Sequence, residues 1–246
     1  MADLPILFSA PMVLAIIREI ERPGTGKTQT RRVLRPQPEN FETSPGVLCK
    51  ASLHFDEGEP RGRIVLGNDG AGVITLQRVP YAVGDRLWVR EAWRCEARFD
   101  QTKPSNLPHG VPIYYAADPD HRDSEPGCAE KLRPGMFMMR WASRLTLIVT
   151  DVRVQRVQEM EGQHPSESDA IAEGVNAIHH GDGAVYYSAF RDWPDGKNWI
   201  DPTDAFRELW DSLNAARGFS WDTNPWVAAY TFRPILSNID NLKEAA

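Results

Sequence analysis

The chain has 246 residues, of which 41% are hydrophobic and 25% charged, enough to bury a core as one large or two small domains. A net charge of −6 argues against a protein that coats duplex nucleic acid through its phosphates, so any nucleic-acid binding is expected at a local basic patch and pocket. Cys49, Cys95 and Cys128 form no C-x-x-C pair and no apolar run approaches the roughly 20 residues that span a bilayer, so the expectation is a cytoplasmic, membrane-free protein with no disulfide framework.

The first residues, Met1 to Pro5, lack the basic region of a secretory signal. Residues 6–20 open as a short apolar strand or turn and become helical from about Pro11, with Met12, Ile16, Ile17 and Ile20 on one face. Pro23-Gly24 ends that helix, and a basic stretch with Lys27, Arg31, Arg32 and Arg35 follows. Residues 36–72 read as a long excursion containing one hairpin. Strands are expected at Val73–Val79, Arg86–Arg90 and Ile113–Ala116, with Pro80–Asp85 as a turn and 118–135 as a loop. The clearest strand is Arg144–Gln155, whose alternation changes parity after Asp151 and predicts a bulge there. A helix capped by Ser166 closes at Gly174. A second, capped by Asp201-Pro202, sets Phe206, Leu209, Trp210 and Leu213 on one face. Residues 175–200 read as a loop insertion, and Trp226–Phe232 as the last strand. The sum is one α+β domain over residues 1–235, with insertions at about 36–72, 95–135 and 175–200, and a flexible tail at 236–246.

Gly24-Thr25-Gly26-Lys27-Thr28 invites a phosphate-loop reading, but the pattern needs a glycine where Glu21 stands, and it should follow a strand rather than a helix. His179-His180 and His164 lack metal-ligand spacing, and Ser9 and Ser143 lack a nucleophile elbow, so neither a metal, a cofactor nor a serine triad is expected.

Lys27-Thr28-Gln29-Thr30-Arg31-Arg32 resembles the K-x-x-T-x-R part of the signature of ASCH domains, a branch of the PUA-like superfamily. The full signature has a glycine where this chain has Thr25, flanked by Gly24 and Gly26. The resemblance continues in order through Pro5–Met12, Gly84–Trp93, Arg140–Arg144, Leu209–Asn214 and Asn224–Val227, as in the larger ASCH-like proteins of phages and prophages. It implies a PUA-like small β-barrel flanked by helices, with a cleft at the signature loop. It also implies RNA or a modified nucleoside as partner, leaves DNA open, and requires no protein partner. Small members are amidohydrolases of N4-acetylcytidine. Carried over, Lys27 is the base, Thr30 the nucleophile and Glu91 the assisting carboxylate. Ser9, Arg31, Arg32, Trp93, Arg140 and Trp141 are assigned to substrate or nucleic acid.

The chemistry is coherent, because a threonine hydroxyl needs a base and lysine serves as one only when burial or neighbouring cations such as Arg31 and Arg32 lower its pKa. In a helix, the spacing from Lys27 to Thr30 would put both on one side of a turn. Each residue also has a structural alternative. Lys27 with its arginines can be a phosphate-contacting patch, Thr30 a turn residue, Glu91 an ion-pair partner, the tryptophans core, and Arg144 a packing residue. Two further functions stay open, namely a non-catalytic RNA-binding module and a metal-independent ribonuclease.

Overall fold

The computed structural model describes residues 1–37, 42–44, 47–48, 50–54, 63–67, 74–118, 131–160, 168–181, 183–190 and 198–242. In chain order these form β1 (Asp3–Leu7), α1 (Ala10–Glu21), β2 (Gln29–Val33), β3 (Glu42–Ser44), β4 (Val47–Leu48), β5 (Lys50–His54), β6 (Arg63–Gly67) and β7 (Ile74–Arg78). They continue with β8 (Arg86–Arg90), β9 (Trp93–Arg94), β10 (Tyr114–Tyr115), β11 (Thr146–Arg156), α2 (Asp169–Ala172), β12 (Asn176–His179), β13 (Val185–Ser188), α3 (Pro202–Asn214) and β14 (Trp226–Ile235). The fold is α+β.

The central sheet has five strands in the order β1-β8-β11-β14-β2, with β1 parallel to β8 and the other pairs antiparallel. The expected closed barrel is not formed by strand pairing among the described residues: β1 and β2 are edges. Side chains bring these edges together instead. Arg86 N–H bonds the Ala2 carbonyl and Phe8 N–H bonds the Arg90 carbonyl, so the peptide groups of Pro5 and Leu7 face the free edge of β1. Pro5 has no N–H to leave unpaired there. Its carbonyl accepts the Tyr81 hydroxyl at 2.9 Å, and the Leu7 carbonyl accepts Arg32 Nη2, from β2, at 2.7 Å. The sheet therefore curls until its two edges are one side chain apart.

The amphipathic elements cover the sheet. In α1, Pro11 occupies the first turn, and Met12, Val13, Ala15 and Ile16 are buried while Ile17 and Ile20 pack at the margin. Burying each large aliphatic side chain contributes about 1.5–3 kcal/mol. Asp201 caps α3 through the Thr203 N–H, and Phe206, Leu209 and Trp210 are buried; Leu213, one residue before the helix ends, is instead 48% exposed. The bulge in β11 lies between Val149 and Asp151. Gly84, at φ +86°, and Asp85, whose carboxylate accepts Ala2 N–H and Ala82 N–H, form the turn before β8.

Several expectations need correction. The excursion at 36–72 carries the β3–β4 hairpin and strands of the β5-β6-β7 sheet. The stretch at 95–135 contributes Cys95, Leu107 and Val111 to a second core completed by Trp93, Met138 and Ala142 and clamped by Arg133. Residues 175–200 contain the β12–β13 hairpin, whose Tyr187 joins the main core. The tail docks as far as Leu242: Ile239 is 0% exposed and the Asn238 side-chain amide donates to the carbonyls of Arg140 and Ser143. The cap placed at Ser166 lies outside the described residues; Ser168 caps α2, accepting from Ala170 N–H.

Candidate functional site

The signature loop is built against α1. Lys27 N–H bonds the Ala15 carbonyl, and a Cβ at Gly26 would come within 2.3 Å of both the Ala15 oxygen and the Glu19 nitrogen, so only glycine fits. The N–H groups of Gly24 and Gly26 point at the Glu19 carboxylate, at 3.0 and 2.9 Å. The nest that resembles a phosphate loop is thus filled by the protein's own side chain.

Beyond the loop the chain is strand, so the helical spacing of Lys27 and Thr30 is corrected: Thr30 and Arg32 share one face of β2, and Gln29 and Arg31 the other. Arg31 faces α2 and α3. It pairs with Asp169 and with Glu173 Oε1 at 3.1 Å, and packs over Phe206. Lys27, 2% exposed, donates to the Glu173 carboxylate at 2.8 Å and to the Glu173 carbonyl at 2.6 Å. Gly174, left-handed at φ +105°, lets the end of α2 pass close to the Lys27 stem. Burial pushes the Lys27 pKa below the ordinary lysine value; Glu173 opposes this, while Arg32 and Arg31 add to it.

Opposite this paired network lies the seam between β1 and β2. Thr30 pairs with Tyr230 across the β2–β14 ladder, which puts Thr30, Arg32 and Tyr230 on one face. Thr30 is buried and makes no side-chain hydrogen bond among the described residues. Arg32 has no carboxylate within ion-pair distance among the described residues, and burial lowers its pKa. The Phe8 ring lies 5.1 Å from the Arg32 guanidinium and 5.8 Å from Lys27 Nζ. Tyr81 packs edge-on against Tyr230 at 5.1 Å. The buried Tyr230 hydroxyl has no partner within normal distance, although the Tyr81 backbone lies close enough to act on it.

No protein-family model, curated protein or solved structure matches the chain.

The other sequence-assigned residues are distributed around this seam unevenly. Glu91 lies directly beyond β8, beside the Phe8 backbone, but its carboxylate is gripped by Arg144 at 2.9 and 3.0 Å, with Asp118 on the same guanidinium and Tyr115 beneath it. Burial raises the Glu91 pKa against the pull of Arg144. Lys27 and Glu91 do not bond to one another. Ser9 is exposed at the N-cap of α1 without a side-chain cap bond. Trp93 is 0% exposed beneath Arg133 and cannot offer its face to a base, a correction to its assignment. Arg140 is bound by Asp3 and Asp240, and Trp141 stacks on His109. His180 bonds Asn198, and among the described residues no group of three His, Cys, Asp or Glu side chains could hold a metal. No helix among them is long and apolar enough to cross a membrane.

Phe8, Tyr81, Glu173 and Tyr230 were missed. Glu173 stands 146 residues from Lys27, a pairing that no local pattern encodes. Tyr230 reads as one more apolar residue in a buried strand.

Proposed function

We propose that the chain is an ASCH-type, PUA-like protein that binds a modified nucleoside, free or within RNA, at the seam between β1 and β2 and hydrolyses an acyl amide on its base. The observation that carries this reading is the Phe8 ring, which lies against both the buried Lys27, whose pKa is lowered, and Arg32, which shares its face of β2 with the unengaged Thr30 hydroxyl. In the proposed reaction the Thr30 oxygen attacks the amide carbonyl while neutral Lys27 takes its proton. The tetrahedral intermediate collapses, breaking the C–N bond, and the departing base amine receives that proton. Water then hydrolyses the threonyl ester, releasing the carboxylic acid and restoring Thr30. Glu173 orients Lys27 and accepts its bond in the charged state. Glu91, whose carboxylate Arg144 holds, is the assisting carboxylate of this reading.

The test is incubation with acylated and plain cytidines and short RNAs, followed by mass spectrometry, with Lys27→Ala as control. Loss of an acyl group that the control does not produce supports the reading. Full turnover by Lys27→Ala contradicts it. One observation favours a second reading, a binding module without chemistry: Lys27 Nζ already donates to the Glu173 carboxylate and not to Thr30. Retention of RNA without any product selects that reading, and strand cleavage in EDTA would point to a nuclease instead.

A further inference from the structure

Most arginines near the centre of this molecule are matched by acids: Arg31 by Asp169 and Glu173, Arg86 by Asp3, Arg144 by Glu91 and Asp118. Arg32 and Arg90 are not, among the described residues. Both converge on the end of β1. Arg90 is the register partner of Leu7, in a strand about 4.8 Å away. Arg32 bonds the Leu7 carbonyl from the opposite edge. The Arg90 guanidinium lies over the Trp88 ring at 4.4 Å and reaches the Met136 carbonyl only at 3.3 Å, while its buried Nε has no partner. Both arginines act electrostatically on the Tyr81 phenol, and the unpartnered Tyr230 hydroxyl lies behind it. Helix α1 starts at Ala10 with no acid in its first turn, so its N-terminal N–H groups add positive potential at the same place. Two unmatched guanidiniums at the end of β1 and a buried, unsatisfied hydroxyl behind Tyr81 are costly in an empty protein and useful to an anion.

We propose that Arg32 and Arg90, with the Tyr81 and Tyr230 phenols, form an oxyanion subsite that takes a phosphate group of the ligand. The inference rests on the proposed function for the base-binding half of the seam, and it makes the preferred ligand a nucleotide or an RNA strand rather than a free nucleoside. Tyr81 covers Tyr230 by an edge contact and one hydrogen bond to Pro5, so entry of the phosphate displaces the Tyr81 side chain from that carbonyl.

The experiment is equilibrium titration of the full chain with cytidine, cytidine 5′-monophosphate and inorganic phosphate. Binding is followed by tryptophan fluorescence, to which Trp88 under Arg90 contributes, in the parent protein, Arg90→Gln and Tyr230→Phe. The monophosphate should bind at least about tenfold more tightly than cytidine, and Arg90→Gln should remove most of that advantage. Tyr230→Phe should weaken the monophosphate severalfold without lowering the melting temperature, because the hydroxyl it removes has no partner within normal distance in the empty protein. Equal affinity for the two cytidines, or an advantage that survives Arg90→Gln, overturns the subsite. So does a protein that responds to neither phosphate nor the monophosphate. Phosphate-dependent binding without acyl hydrolysis supports the subsite while removing the proposed chemistry. Hydrolysis that is equally fast on cytidine and monophosphate substrates does the reverse.

Discussion

The Glu91–Arg144 pair and the Lys27–Glu173 pair are both largely buried ion pairs, yet their surroundings differ. Arg144 clasps Glu91 with two parallel bonds, and its remaining reach goes to Asp118, so that cluster is closed. Glu173 divides its oxygens between Lys27 and Arg31, whereas the other face of β2 carries Thr30 and Arg32 beside Tyr230, with bonding capacity unused. A closed pair braces a fold; a pair with unsatisfied neighbours holds a charged group ready for something else. The same contrast separates the two faces of β2, where Arg31 is matched and Arg32 is not.

Breaking either pair is the largest expected effect. Glu173→Ala and Arg144→Ala should each cost about 3–5 kcal/mol in urea denaturation, since each strands a buried charge. A loss under about 1 kcal/mol for Glu173→Ala would mean that Lys27 reaches water, as surface pairs do, and would erase the contrast. Gly26→Ala comes next, at about 1–3 kcal/mol, because its Cβ meets the backbone of α1 and not a side chain that could move away. Thr30→Val sharpens the comparison from the other side. It should change stability by less than about 1 kcal/mol yet reduce acyl hydrolysis at least about a hundredfold.

The two pairs also respond oppositely to pH. Between the lowered Lys27 value and the ordinary 10.5 the unfolded chain holds more protons, so this group makes stability rise with pH across that window. Between the ordinary 4.5 and the raised Glu91 value the folded chain holds more, so that group makes stability fall as pH rises. Comparing denaturation midpoints of Lys27→Met and Glu91→Gln with the parent across pH isolates each slope. The smallest effect concerns Asp3, whose pKa is held down by Arg86 and, against burial, by Arg140 as well. Its contribution is lost as pH falls below 3.8 through the folded value, and Asp3→Asn should flatten that acid limb of the melting temperature.

Local signals in the sequence located much of the scaffold. Pro11, Asp201-Pro202 and the parity change at Asp151 each act within a turn or two, and the helices and bulged strand they predict are present. The docking of Ile239 and the burial of Trp93 depend on surfaces supplied by distant segments, so composition alone made one a tail and the other a stacking platform. The same holds for the site. Lys27, Thr30 and Arg32 are close in the chain and legible as a set, whereas Glu173, Tyr81 and Tyr230 arrive through strand order and sheet curl. Glu91 was legible as a charged residue after a strand, but its partner Arg144 comes from 53 positions away.

The most direct test is to trap the acyl group. The protein is mixed with an acylated cytidine, quenched in acid during turnover, digested and analysed by mass spectrometry. The account predicts a single acyl ester on the peptide carrying Thr30, absent from Thr30→Val, which no longer releases acid. Undiminished hydrolysis by Thr30→Val would contradict it.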